Sequence, residues 1–194
     1  MSSLDNRERL FLLDVARRAL IAAVEGGKAL EVSSRDLGRG ECAGAFVTLR
    51  LRTRLRGCIG QIGTKQSTVE IVAYSARAAA LEDPRFDPVR SDELRDIEIE
   101  LSVLSIPERI DPRQIEAGKH GLIVSRGWQR GVLLPQVAVE QRWESLRFLE
   151  ETCVKAGLER DAWKQAETLI LAFTADVFSE SEIRNRLERE PSVR

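Results

Sequence analysis

In the run Leu55-Arg56-Gly57-Cys58-Ile59-Gly60 a thiol stands between two glycines, two residues after a guanidinium. Arginine is a permanent cation with a planar donor fork, and a nearby cation favours thiolate, the reactive form of cysteine. Glycine leaves room for a ligand to approach the main chain. Arg56, Gly57 and Gly60 are therefore candidate substrate-binding positions around Cys58, and on a regular strand Arg56 and Cys58 share a face. His120 is the one histidine, and with Glu100 it would complete a set of nucleophile, base and orienting acid. Three readings of Cys58 stay open at this level: nucleophile, metal ligand and small packed side chain. Under the last, Glu98 and Glu100 are a solvated strand face and His120 is a hydrogen-bonding residue at a strand start.

Other chemistries find less support. Cys42, Cys58 and Cys153 are widely separated and give no paired ligand spacing, so no metal site is expected. The glycines around Cys58 lack the spacing and the Lys-Ser/Thr pair of a phosphate loop. Arg85 and Phe86 suit an anionic or planar ligand, although such a pair more often closes a loop by packing the ring and salt-bridging the cation. Trp128, Trp143 and Trp163 are too scattered for a base-stacking platform.

The elements that must hold these residues alternate between helix and strand. Asp5 caps a helix that runs to about residue 25 and stops at Gly26-Gly27, with Leu10, Leu13, Leu20 and Val24 as its apolar stripe. Residues 30–41 read as a surface loop. Residues 45–51 and 55–59 read as a hairpin joined through Arg52-Thr53-Arg54, which puts Cys58 late in the second strand. Ser67 or Thr68 caps a second helix with a small-residue face of Val69, Val72, Ala73, Ala76 and Ala80. Two prolines restrict the loop Asp83-Pro84-Arg85-Phe86-Asp87-Pro88. Residues 96–104 form the clearest strand, with Ile97, Ile99, Leu101 and Val103 on one face and Glu98, Glu100 and Ser102 on the other. A hairpin over residues 120–134, ended by Pro135, a helix over 145–156 and one last strand over 168–177 follow. Residues 179–194 read as a charged, loose tail.

The chain has 194 residues, 43% hydrophobic and 31% charged, and a formal net charge of −1. That balance disfavours general nucleic-acid binding. No apolar run reaches the roughly 18 residues of a membrane span. The opening residues lack a signal-peptide layout, and an odd number of separated cysteines suits free thiols in a reducing cytoplasm.

Several segments together resemble one family, the AMMECR domain, also known as protein A of the AmmeMemoRadiSam system. They are the Leu55–Gly60 signature, Asp83-Pro84-Arg85-Phe86, the strand Ile97–Leu104, His120-Gly121, Leu133-Leu134-Pro135-Gln136, Lys155-Ala156-Gly157-Leu158 and Trp163. The resemblance runs from about residue 8 to 178. It implies an α+β fold, a mostly antiparallel sheet flanked by helices, with two unequal lobes around a cleft. Residues 1–178 would then be a single domain. It also implies a cytoplasmic neighbourhood with a Memo-like protein and a radical-SAM protein, and it names no reaction and no cofactor. Two functions follow from it: an enzyme or cofactor-handling component of a modification system working over Cys58, or a non-catalytic module that docks onto such a partner.

Overall fold

A computed structural model of the protein describes residues 4–27, 42–63 and 66–189; the expected loop at 30–41 lies outside them. The chain divides into two compact units, residues 1–104 with 176–194, and residues 105–175. Among the described residues, five α-helices and two four-stranded antiparallel sheets, one per unit, make this an α+β protein.

In the first unit, α1 (Asn6–Val24) opens with the Asp5 cap, which accepts the Glu8 N–H while Glu8 returns a bond to the Asp5 N–H. Its buried face is Leu12, Leu13, Val15, Ala16, Ala19 and Leu20. Leu10 belongs to the exposed side, because the stripe is centred more than a third of a turn away from it. The hairpin β1 (Gly44–Leu51) and β2 (Arg54–Ile62) turns through Arg52 and Thr53, both with positive φ, the geometry of a primed two-residue turn built without glycine. Helix α2 (Thr68–Leu81) carries the same capping box at Ser67 and Glu70. Its valines and alanines are buried nearly all round, between the sheet and α1. Strand β3 (Ile97–Leu104) follows, and the sheet order is β2-β1-β3-β8, with β8 at Ala175–Ser179. Ala45, Val47, Leu49, Ile97, Ile99, Leu101 and Val103 face the core.

In the second unit, β4 (Glu108–Arg109), β5 (Gly121–Arg126), β6 (Gln129–Leu133) and β7 (Leu169–Phe173) pair in the order β4-β7-β5-β6. Pro135 does more than end the hairpin: at the first position of α3 (Pro135–Glu140) its missing N–H costs nothing. Helix α4 (Ser145–Lys155) places Phe148, Leu149, Thr152 and Cys153 in this unit's interior, and Gly157 ends it in the left-handed region.

Two expectations change at the C-terminus. The single strand expected over 168–177 is two strands, β7 and β8, serving different sheets. The charged segment read as a loose tail contains α5 (Glu180–Arg189). Ion pairs hold this end in place: Arg9 grips Asp176 through Nε and Nη2, and Arg17 bonds Glu180, which also accepts the Ile99 N–H at 2.9 Å. Ile183 is fully buried in the first core. Composition alone hid this, since one apolar anchor and two ion pairs do the work of an apolar stripe. Ile183→Ala is therefore expected to cost about 2–5 kcal/mol as a core truncation, read in denaturant melts. An unchanged midpoint would mean the segment is loose after all.

Candidate functional site

Cys58 is the fifth residue of β2, half-buried, and opposite Thr48 of β1. The Thr48 hydroxyl donates to Cys58 Sγ at 3.3 Å. On its other side Thr48 is opposite Glu100 of β3, so Cys58, Thr48 and Glu100 form one row across three strands. Glu100 lies two strands away, about 10 Å between Cα atoms, with Thr48 between. Its described ionic partner is Arg50, at 3.6 Å. His120 belongs to the second unit, in the turn before β5. There its Nδ1 accepts the Glu116 N–H at 3.1 Å, and burial pushes its pKa down. Accepting at Nδ1 puts the neutral ring's proton on Nε2.

Arg56 turns away from the thiol. A bulge at Leu49/Arg50 breaks the two-residue alternation of β2 just before Gly57. The Arg56 fork binds Glu93 through Nε and Nη2, both at 2.9 Å, and the carbonyls of Asp87 and Pro88. The pair is mostly buried; Glu93 raises the pKa of Arg56 and is itself lowered by it. Arg56 thus clamps a loop. The glycines are also spoken for. A Cβ on Gly57 would stand 2.1 Å from the Ala79 carbonyl of α2, and one on Gly60 would stand 2.3 Å from the Phe46 ring. What reads in the sequence as room for a ligand is filled by the fold on those two faces.

The groups that do meet Cys58 come from Asp83-Pro84-Arg85-Phe86. Asp83 follows α2 and opens a β-turn closed by the Phe86 N–H on the Asp83 carbonyl, with proline at the second position. The buried Asp83 carboxylate accepts the Arg85 N–H at 3.1 Å and the Nε and Nη2 donors of the Arg85 side chain at 2.9 and 2.7 Å. It also accepts the Cys58 N–H at 2.8 Å. Arg85 Nη2 in turn donates to the Cys58 carbonyl at 3.2 Å. The Arg85 fork, first of all, holds the Asp83 pKa well below the usual carboxylate range, with the Cys58 N–H adding to it. The Arg85 pKa is raised, chiefly by Asp83, with Cys58 contributing less. The Arg85 guanidinium lies 5.5 Å from the Phe86 ring centre, and its side chain is 53% exposed. Nη1 has no partner among the described residues. Such a fixed, half-exposed fork is suited to bind a carboxylate or phosphate.

The same tripeptide recurs as Asp111-Pro112-Arg113, with the same three bonds between carboxylate and arginine. There Arg113 is almost fully exposed and the Asp111 pKa falls to about 2. What separates the first copy is burial and the backbone of Cys58.

Residues 13–178 match the AMMECR1 family. A protein of Thermococcus gammatolerans is 42% identical over 195 residues, 94% of this chain and 95% of its own. Protein Mbar_A1807 of Methanosarcina barkeri is 47% identical over 150 residues, 74% of this chain and 73% of its own. The crystal structure of uncharacterized protein PH0010 from Pyrococcus horikoshii aligns with a TM-score of 0.70 at 41% identity. That alignment covers 90% of this chain and 92% of the other. No helix among the described residues is long and apolar enough to cross a membrane.

Asp83→Asn is expected to cost about 1.5–3 kcal/mol at neutral pH, the range for hydrogen bonds to a charged group, and more than Asp111→Asn. Because the folded Asp83 pKa is depressed, its contribution is complete above the unfolded value of about 3.9 and is lost as pH falls below it. Urea melts from pH 7 to pH 2 should show the gap between wild type and Asp83→Asn closing in acid. A gap that persists or widens there would contradict the assignment.

Proposed function

The chain belongs to the AMMECR1 family, and we propose that within it Cys58 and Arg85 form a binding site for an anionic ligand carrying a carboxylate or a phosphate monoester. The observation that supports this is the Arg85 fork itself. A buried carboxylate and a strand carbonyl fix it, yet it keeps one nitrogen toward solvent. Arginine held in this way has little rotamer freedom left to lose on binding. In this proposal Arg85 supplies the charge, Phe86 a planar surface beside it, and Cys58 the strand backbone against which the ligand lies. Glu100 shares the thiol's sheet face, separated from it by Thr48. His120 lies in the other unit, where its Nδ1 accepts the Glu116 N–H, and the proposed site draws on Arg85 without it.

A role in a modification system alongside a Memo-like and a radical-SAM protein fits such a site. The ligand would be a substrate or cofactor fragment of that system, handled in the cytoplasm. The binding step, and no reaction, is what Arg85 supports.

Titration of nitrogen-15-labelled protein with benzoate and with phenyl phosphate tests the site. Expected are saturable shifts at the Arg85 side chain and at the Cys58 and Phe86 amides, absent in Arg85→Lys, which keeps the charge and loses the planar fork. Shifts confined elsewhere, or equal in Arg85→Lys, would overturn it. Cys58→Ser is expected to fold with less than about 1 kcal/mol lost, because a half-buried serine can still pair with Thr48; thermal melts give that number.

A further inference from the structure

Among the described residues strand β2 is an edge of its sheet, paired with β1. The hydrogen-bonding phase of that pair is fixed by the Gly63 N–H on the Ala43 carbonyl. Stepping back by twos, Gln61, Ile59 and Gly57 exchange their backbone bonds with β1, while Cys58, Gly60 and Ile62 turn theirs outward. The loop over residues 83–90 covers the first part of this edge. Asp83 and Arg85 take the outward N–H and C=O of Cys58, and the Arg56 fork meets the carbonyls of Asp87 and Pro88. The second part is uncovered among the described residues. The outward N–H and C=O of Gly60 and Ile62 have no partner among the described residues. Unpaired edge groups are a template for another strand, and here neither proline, lysine nor a further bulge blunts them.

We propose that this uncovered edge receives an extended peptide by strand addition, antiparallel to β2, with the peptide's C-terminal carboxylate on Arg85. The direction follows from the ends of the site. A partner antiparallel to β2 passes Ile62 first, then Gly60, and reaches Cys58 with its C-terminus. There Asp83 and Arg85 already occupy the next ladder position and Arg85 Nη1 is open. From Ile62 to Cys58 is about 13 Å along the strand, the length of four extended residues. Gly60 and Ile62 would give main-chain bonds whatever the peptide sequence, and the terminal carboxylate would fix the register. The anion is thereby named as a peptide terminus; this step rests on the Arg85 site proposed above.

The test uses the full chain and a pool of random-sequence octapeptides with free C-termini, beside the same pool amidated. Bound peptides are identified by mass spectrometry and the strongest is resynthesised. Expected are protection of the Gly60 and Ile62 amides from hydrogen exchange and at least about tenfold weaker binding on amidation, the loss of one charge-assisted contact. Ile62→Pro removes an outward N–H without touching the β1 ladder, and it should weaken binding with little change in melting. If Ile62→Pro fails to fold, a peptide N-methylated at successive positions asks the same question from the ligand side.

Binding that needs the carboxylate and Arg85 but leaves Gly60 and Ile62 exchanging freely would overturn strand addition and keep the anion site. Binding indifferent to amidation would overturn the terminal-carboxylate assignment. No enrichment from the free-acid pool would overturn the peptide proposal altogether. Protection of the two amides that rises with protein concentration alone would also overturn it, by assigning the edge to a second copy of the chain.

Discussion

The buried carboxylate of Asp83 is the constraint around which the first unit's chemistry is arranged. A carboxylate out of water must be paired and fully hydrogen-bonded. This one accepts two backbone N–H groups and the Nε and Nη2 donors along one edge of a guanidinium. Meeting that demand requires α2 to end close to β2. The approach is set at Gly57, where any side chain would run into the Ala79 carbonyl. The glycine before Cys58 is thus a packing requirement with a functional consequence. It brings the end of α2 near enough for Asp83 to reach the Cys58 N–H, and Asp83 then fixes Arg85. Burial of one charge leaves the other half-exposed and immobile, the combination that an anion site needs.

Comparison of the two Asp-Pro-Arg turns separates what local sequence does from what tertiary structure adds. Proline presets the turn, the aspartate caps the arginine N–H, and the arginine folds back on the same carboxylate in both. At residues 111–113 the result is a solvated surface turn. At residues 83–85 the identical device sits against a strand edge, excludes water from its carboxylate and ties two elements together. A salt bridge of the first kind contributes little to stability; one of the second kind cannot lose either partner cheaply.

Much of this was legible in the residues. Alternation over 97–104 named the core face of β3, and Ile97, Ile99, Leu101 and Val103 are all buried. The Asp5 and Ser67 caps and the hairpin around Arg52-Thr53 follow from local rules that the fold obeys. The site was half legible. Cys58 and the Asp83–Phe86 segment stood out, but the cation beside the thiol is Arg85, twenty-seven residues on. Arg56 was the nearer choice by spacing. A one-residue bulge redirects it, and a bulge leaves no simple mark in the side-chain pattern. The α5 helix was missed because its hold on the core comes from Ile183 together with charged groups far apart in the chain, Arg17 and Glu180 being separated by 163 residues.

The claim that Arg85 carries an anion is tested most directly by what the protein brings with it from its own cells. Wild type and Arg85→Lys, purified in parallel at low salt from the native host and then denatured, release their bound molecules for comparison by mass spectrometry. Expected is an anionic molecule carrying a carboxylate or phosphate, enriched at least about tenfold in wild type, as loss of one charge-assisted contact implies. Equal amounts in both proteins, or released molecules with no anionic group, would contradict it.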